Sequence, residues 1–205
     1  MEDVLEVYQR HYEEDEVLIC MDETSKQHIK ETRIPLPTRP GEPERIDYEY
    51  ERNDVSNLFM LFAPLEGWRH VKVTDRHTKV DWAQLIKELV DEHHPKKKII
   101  LVMDNLNTHK LGSLYEAFEP AEARRIADRL EIHYTPKHGS WLDMAEIEIG
   151  VLSRQCLDRR LPDQETLKRE INAWQNTRNQ KAIRVDWRFT AEDARTKLKS
   201  LYPSI

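Results

Sequence analysis

The sequence has few cysteines and no long apolar run. Its 205 residues include only two cysteines, Cys20 and Cys156. They are too few and too far apart for a disulfide framework or a zinc module, so we expect both to be small buried residues. No apolar stretch approaches the roughly 20 residues of a membrane span, and the acidic N-terminus is unlike a secretory signal. We therefore expect a cytoplasmic protein with no membrane partner.

The chain also lacks an excess of positive charge. The chain has 32 Lys and Arg against 38 Asp and Glu, which gives a net charge of −6. This balance argues against a protein that coats nucleic acid over its whole surface. Local basic clusters remain, for example Arg154, Arg159 and Arg160. Each cluster is most simply a solvated face, and only its position relative to a site would give it a further role.

The apolar residues, 39% of the chain, are sufficient for one well-filled core. Apolar runs predict buried strands at 17–21 and 99–103, and shorter β patterns occur at 47–51, 57–63, 69–73 and 131–135. Helical periodicity lies between and after them. The order predicts an α/β fold in which a mixed sheet is flanked by helices. We divide it into a helical lead-in at 1–16, a main layer at 17–160 and a helical C-terminal extension at 161–205.

One segment, 24–45, is rich in proline. It contains Pro35, Pro37, Pro40 and Pro43 together with Gly41. These residues favour an extended loop without a core of its own.

Two of the predicted strands end in an acidic residue. Asp22 follows VLICM and Asp104 follows IILVM, so the two carboxylates meet if the strands lie side by side. Close carboxylates resist joint ionisation unless a cation lies between them. Oxygen ligands without cysteine suit Mg²⁺ or Mn²⁺. Two such ions can activate a water on one side of a phosphodiester and stabilise the leaving oxygen on the other.

A third acid is expected on the helix that follows KHGSW. Glu146 and Glu148 each lie about 80° from the centre of its apolar stripe, so the spacing does not choose between them. Ser140, Asp143 and Glu146 also occupy positions typical of helix caps, and Glu146 would then only stabilise the helix start.

Three segments, CMDETSKQ, LVMDNLNTHK and HGSWLDMAEIE, resemble the signature blocks of DDE transposases. The resemblance is to the mariner-related enzymes and bacterial insertion-sequence transposases of the ribonuclease H-like superfamily, and it spans 17–160. It implies that Asp22, Asp104 and Glu146 are the catalytic triad, which holds two Mg²⁺ or Mn²⁺ ions. It also implies that DNA is the partner and that no small-molecule cofactor is needed.

The third block departs from the family pattern Leu-Asn-Pro-x-Glu. Asp143 stands in place of the asparagine and would add a fourth negative charge, which tightens metal binding, disturbs it, or marks a decaying copy. Near the second acid, Asn105, Asn107 and His109 would orient Asp104 or contact DNA, although a plain turn is slightly favoured.

Basic residues near the blocks are candidates for DNA contact. Lys137 and His138 would contact a phosphate, and Arg154, Arg159 and Arg160 would guide a strand. Trp141 would stack on a base, or, as we favour, pack on the core.

The resemblance has consequences for assembly. In mariner-type enzymes the segment corresponding to 24–45 can form a clamp that reaches a partner subunit, which here would be a homodimer partner. A surface loop is an equal alternative. Because family members carry N-terminal helix-turn-helix domains, we expect this chain to be the catalytic half of a transposase, acting on the nucleoid of a bacterium.

Two other functions remain open. The same fold serves nucleases that act on RNA–DNA hybrids or branched DNA, which often carry a fourth acid, as Asp143 would be. Alternatively, the chain is an inactive fragment that dimerises with or regulates a full-length transposase.

Overall fold

The computed structural model describes residues 1–33, 38–42 and 48–202. Its centre is a five-stranded sheet in the order β3-β2-β1-β4-β5. The strands are β1 (Glu16–Glu31), β2 (Tyr50–Ala63), β3 (Trp68–Thr74), β4 (Lys98–Met103) and β5 (Leu130–Tyr134). The first three strands are antiparallel, whereas β1, β4 and β5 run parallel. The predicted α/β class with a mixed sheet is confirmed.

Seven α-helices surround the sheet within the described part of the chain. They are α1 (Glu2–Gln9), α2 (Lys79–Glu88), α3 (Leu111–Ala117), α4 (Pro120–Ala127), α5 (Met144–Leu152), α6 (Gln164–Gln180) and α7 (Ala191–Lys197). Two of them, α2 and α5, continue directly into a wider π turn, at Leu89–His93 and Ser153–Leu157. None of the described helices has the length and hydropathy needed to cross a membrane.

The sheet separates two apolar cores. Leu18 and Cys20 of β1 face the core shared with α1, α5, α6 and α7. Ile19 and Met21 face the core shared with α2, α3 and α4. This is the two-residue alternation of a strand that is covered on both faces. Both cysteines are buried and unbonded, as expected.

The segment after Asp22 differs from the sequence-based expectation. Residues 24–31 continue β1 and pair with β2, with a register shift between Gln27 and Ile29. The expectation of a loop is therefore wrong for 24–31. Residues 50–51 of the strand predicted at 47–51, and the whole strand predicted at 57–63, are parts of β2. Residues 34–37 and 43–47 lie outside the described residues.

This two-stranded arm is also held by the chain that follows α5. The backbone N–H of Ile29 donates to the carbonyl of Leu161 at 2.9 Å, and Lys26 Nζ donates to the carbonyl of Leu157 at 2.6 Å. These partners are more than 120 residues away along the chain, so no local pattern in TSKQHIKE indicates the strand.

The edge strand β3 is covered by side chains of α6. The Gln175 side-chain oxygen accepts from the Val71 N–H at 2.7 Å. Asn179 accepts from the Arg69 N–H at 2.9 Å and donates to the Arg69 carbonyl at 2.8 Å. These amides supply bonds that another strand would otherwise make with this edge. The C-terminal extension is thereby attached to the sheet.

Candidate active site

The two strand-end acids lie at the same edge of the sheet. Because β1 and β4 are parallel with Met21 opposite Met103, Asp22 and Asp104 follow at adjoining positions. Burial raises the pKa of Asp22 to about 7, and the neighbouring carboxylates of Glu23, Asp104 and Glu146 add to the rise. The structure therefore brings the three acids of the predicted triad together.

Helix α5 begins with a tightly packed turn. Asp143 is the N-cap, and its Oδ1 accepts from the Ala145 N–H at 2.8 Å. Before it, the Tyr8 hydroxyl donates to the Leu142 carbonyl at 2.7 Å. A side chain at Gly139 would place its Cβ only 2.5 Å from Pro136 Cγ. The cap is thus made by Asp143, and Glu146 makes no capping bond within the described structure.

The two glutamates of α5 have different surroundings. Glu148 is buried with a side chain 2% exposed, and its Oε1 lies 2.8 Å from Arg69 Nε and 2.7 Å from Arg178 Nε. Glu146 is exposed in the first turn. Glu148 is therefore committed to an internal ion-pair network, and Glu146 is the glutamate that can meet Asp22 and Asp104.

Asp143, the possible fourth acid, is buried at the start of α5. Its side chain is buried, and Oδ2 has no hydrogen-bond partner among the described residues. Burial raises the pKa of Asp143 well above its usual value, and the carboxylates of Asp22, Asp104 and Glu146 raise it further. The neutral acid is therefore favoured. A neutral acid would cap the helix as the family's asparagine does and would add no negative charge at this edge.

His109 connects two acids. Its Nδ1 lies 2.5 Å from Asp104 Oδ1 and its Nε2 lies 3.2 Å from Glu23 Oε2. Burial lowers the pKa of His109, but the hydrogen bonds to Asp104 and Glu23 outweigh this effect and raise it to about 9. Ligand atoms of the three residues lie within 4.8 Å of one another, so they could also hold a metal ion.

Sequence reasoning missed Glu23. The available signal was its position next to Asp22 in the CMDETSKQ block. The turn interpretation of the residues after Asp104 fits Asn105 and Asn107, which are exposed. His109 closes this turn, since its N–H donates to the Leu106 carbonyl at 3.1 Å, but its side chain is 1% exposed and also contacts Asp104.

The predicted DNA contacts fall into two groups. Lys137, His138 and Arg154 are exposed, and none of them has an ion-pair partner in the described part of the chain. Arg159 pairs with Glu170. Arg160 lies 2.5 Å from Glu31 and over the ring of Tyr50, so these two arginines have structural contacts.

The aromatic residue of the third block packs on the C-terminal extension. The ring of Trp141 lies 6.4 Å from that of Trp187 and 5.8 Å from that of Phe189. Trp141 therefore packs on aromatic residues at the margin of the core and not within the core, and its side chain is exposed.

Residues 17–168 match the family model described as "DDE superfamily endonuclease". The chain belongs to this family. The match includes all three segments that carry the candidate acids, so Asp22, Asp104 and Glu146 lie within a DDE superfamily domain. No curated protein matches the sequence.

Solved structures of Mos1 transposase resemble this DDE superfamily chain. They include a paired-end complex with the left transposon end (TM-score 0.59, 14% identity, 89% of this chain and 56% of that chain). A strand transfer complex (0.56, 14%, 89% and 58%) and a mariner paired-end complex with Mn (0.56, 14%, 89% and 55%) are also similar. The chain thus spans a little over half the length of these relatives. The similarity confirms the ribonuclease H-like fold.

Proposed function

We propose that this chain is the catalytic domain of a DDE transposase, which cleaves DNA at transposon ends and transfers the cleaved strand into target DNA. The observation that carries the proposal is the convergence of Asp22, Asp104 and Glu146 at one edge of a ribonuclease H-like sheet. The electrostatic effect of the other two acids on the pKa of Asp22 supports it.

The donor set fits divalent cations. Burial is the main cause of the raised pKa of Asp22, and repulsion from the nearby carboxylates adds to it; a bound cation would offset both effects. Asp22 and Asp104 would share two Mg²⁺ or Mn²⁺ ions, and Glu146 would complete the second site. When bound, such ions make a water or 3′-hydroxyl more acidic and stabilise the leaving oxygen. The residues themselves would fix the positions of the reacting groups.

Exposed basic residues before and after α5 would bind the DNA backbone near the acids. Lys137 and His138 precede α5, and Arg154 lies in the π turn that follows it. Arg154 also lines a groove of about 390 Å³ with Thr24, Ser25 and Lys26. Because phosphate contacts depend on local charge, these residues can bind a strand despite the net charge of −6.

Assembly with a second copy is part of the proposal. Residues 24–45 would act as a clamp on the partner of a homodimer that acts on the bacterial nucleoid. Residues 24–31 support the proposal, since they form an arm with β2 that extends past the part of β1 that pairs with β4.

The first test is thermal unfolding with increasing Mn²⁺ for the wild type and for Asp104→Asn. Mn²⁺ at 100 times its dissociation constant should stabilise the wild type by about 2.7 kcal/mol, and Asp104→Asn should lose this effect. Asp15→Asn is a matched control, since Asp15 is exposed just before β1, at the opposite end from Asp22. Equal shifts in wild type and Asp104→Asn would overturn the metal site.

The second test separates the substrates. Nicking of supercoiled plasmid, of an RNA–DNA hybrid and of a four-way junction is compared for the wild type and Asp22→Asn. Metal-dependent nicking of plasmid DNA alone supports the transposase. Preference for the hybrid or the junction supports the other nuclease, and no cleavage in the presence of Mn²⁺ binding supports an inactive regulatory fragment.

A further inference from the structure

Asp22 and Glu23 are adjacent in β1, so their side chains point to opposite faces of the sheet. Asp22 lies on the face of Cys20, toward α5, and Glu23 lies on the face of Met21, toward α2. The Glu23 carboxylate therefore does not join the triad directly. It contacts His109 instead.

The imidazole of His109 is fixed on several sides. Its ring is 1% exposed and lies 6.1 Å from the ring of Trp82. The carbonyl of His109 accepts from the Tyr134 hydroxyl at 2.9 Å. Glu23 approaches Nε2 at 3.2 Å, which leaves Nδ1 directed at Asp104 Oδ1 at 2.5 Å. A ring held in this way presents one nitrogen to Asp104 in a fixed direction.

Asp104 needs such support because it follows the end of β4 and precedes an exposed turn. Its side chain is 36% exposed, so it would otherwise exchange between rotamers. The N–H of Leu106 reaches the same oxygen, Oδ1, only at 3.4 Å. His109 is thus the closer of these two donors to this carboxylate.

We propose that His109 is a positioning residue which, anchored by Glu23, orients the Asp104 carboxylate so that Oδ2 is free for the divalent ion. This inference rests on the proposed metal-dependent function and assigns Glu23 and His109 a role in it. Partners that orient a metal ligand typically change metal affinity about 10- to 100-fold when they are removed.

Two substitutions at the same position separate this role from simple packing. In His109→Asn, the side-chain amide nitrogen takes the place of Nδ1 and can still donate to Asp104. In His109→Gln, the amide nitrogen takes the place of Nε2, so the contact with Glu23 is kept and the contact with Asp104 is lost. Both variants lose the ring, so packing effects apply to both.

The measurement is the Mn²⁺ dissociation constant of each purified full chain, obtained from calorimetric titration and from the Mn²⁺ dependence of thermal unfolding. We expect His109→Gln to bind Mn²⁺ about 10- to 100-fold more weakly than the wild type. The affinity of His109→Asn for Mn²⁺ should be close to that of the wild type. The affinity of Glu23→Gln should lie between those of the wild type and His109→Gln.

His133 offers a matched control. Its two ring nitrogens also contact two carboxylates, with Nδ1 at 2.9 Å from Asp3 and Nε2 at 3.1 Å from Glu131. In the described structure it contacts none of the three acids of the site. His133→Gln should therefore lower thermal stability without changing the Mn²⁺ dissociation constant.

Three results would overturn the inference. If His109→Asn binds Mn²⁺ as weakly as His109→Gln, His109 is a ligand or a packing residue. If both variants bind as the wild type does while Asp104→Asn does not, His109 has no positioning role although the metal site stands. If Mn²⁺ does not stabilise the wild type, or stabilises Asp104→Asn as much as the wild type, the proposed metal site itself fails.

Discussion

Arg69 of β3 and Glu148 of α5 form a fully buried ion pair. Their side chains are 0% and 2% exposed, and Arg69 Nε lies 2.8 Å from Glu148 Oε1. Arg178 of α6 contacts the same carboxylate. These three residues therefore join the edge strand β3, helix α5 and the C-terminal extension. Glu148 fixes α5 only two residues after Glu146, the candidate metal ligand.

Removal of one member should be strongly destabilising. Arg69→Met leaves Glu148 with Arg178 alone in a buried position, and loss of one partner of a buried pair typically costs about 3–5 kcal/mol. We expect the free energy of unfolding in urea to fall by roughly 3 kcal/mol. Arg188→Met is the control, since Arg188 and its partner Asp186 are both exposed, and it should change stability little. A loss from Arg69→Met no larger than that of the control would contradict this account.

The α6 side-chain amides that bond to the edge of β3 should stabilise that edge locally. Asn179→Ala removes the side chain that accepts from the Arg69 N–H and donates to the Arg69 carbonyl. The free energy of unfolding should fall by about 1–3 kcal/mol. Hydrogen exchange should also become faster at the Arg69 amide. Asn176→Ala is exposed on the same helix and should have neither effect. Unchanged exchange at Arg69 would show that water replaces Asn179 without loss.

Asp143→Asn should stabilise the metal-free protein at neutral pH. The folded pKa of Asp143 lies well above its usual 3.8, so the folded state holds a proton that the unfolded state releases. This contribution to stability is complete below the unfolded pKa and is lost as pH rises toward the folded pKa.

The advantage of the asparagine should therefore grow with pH above about 4, by at most about 1.4 kcal/mol per unit. Urea unfolding of both proteins in EDTA at pH 5 and pH 8 measures it. The same difference in unfolding free energy at both pH values would indicate that Asp143 is ionised in the folded protein.

DNA affinity should depend on the exposed cations near α5. Lys137→Gln and Arg154→Gln should each weaken binding to duplex DNA and reduce the slope of log affinity against log salt by about 1. Fluorescence anisotropy of a labelled duplex at several salt concentrations measures both quantities. Arg124→Gln is the control because Arg124 is exposed on α4, across the sheet from α5. An equal effect of all three substitutions would mean that DNA binds to basic residues over the whole surface and not specifically near α5.

Local patterns were sufficient for much of the sheet and for two of the acids. The apolar runs before Asp22 and Asp104 predict buried strands because each is continuous, as in a strand that is covered on both faces. A parallel arrangement then brings the strand ends together. The helical stripe that begins at Leu142 likewise predicted α5.

The β1–β2 arm was not predictable in this way. The strand formed by 24–31 has few apolar residues, and its stability depends on pairing with 50–58 and on contacts with Leu157 and Leu161. Prolines nearby made a loop the simpler interpretation. Strand formation here depends on distant partners, which no local propensity reports.

By itself, the sequence determined which residues are acidic, where two of them follow buried strands, and the α/β order of the elements. The spacing left Glu146 and Glu148 open, and the family resemblance pointed to Glu146. Only the tertiary structure decided that Glu148 is buried against Arg69 and Arg178, which come from other elements, and this supports Glu146 as the candidate ligand. It also decided that Glu23 and His109 meet and that Asp143 is buried. The charge and orientation of a carboxylate depend on its burial and on partners that are distant in sequence. The spacing of residues along one helix encodes neither the burial nor the partners.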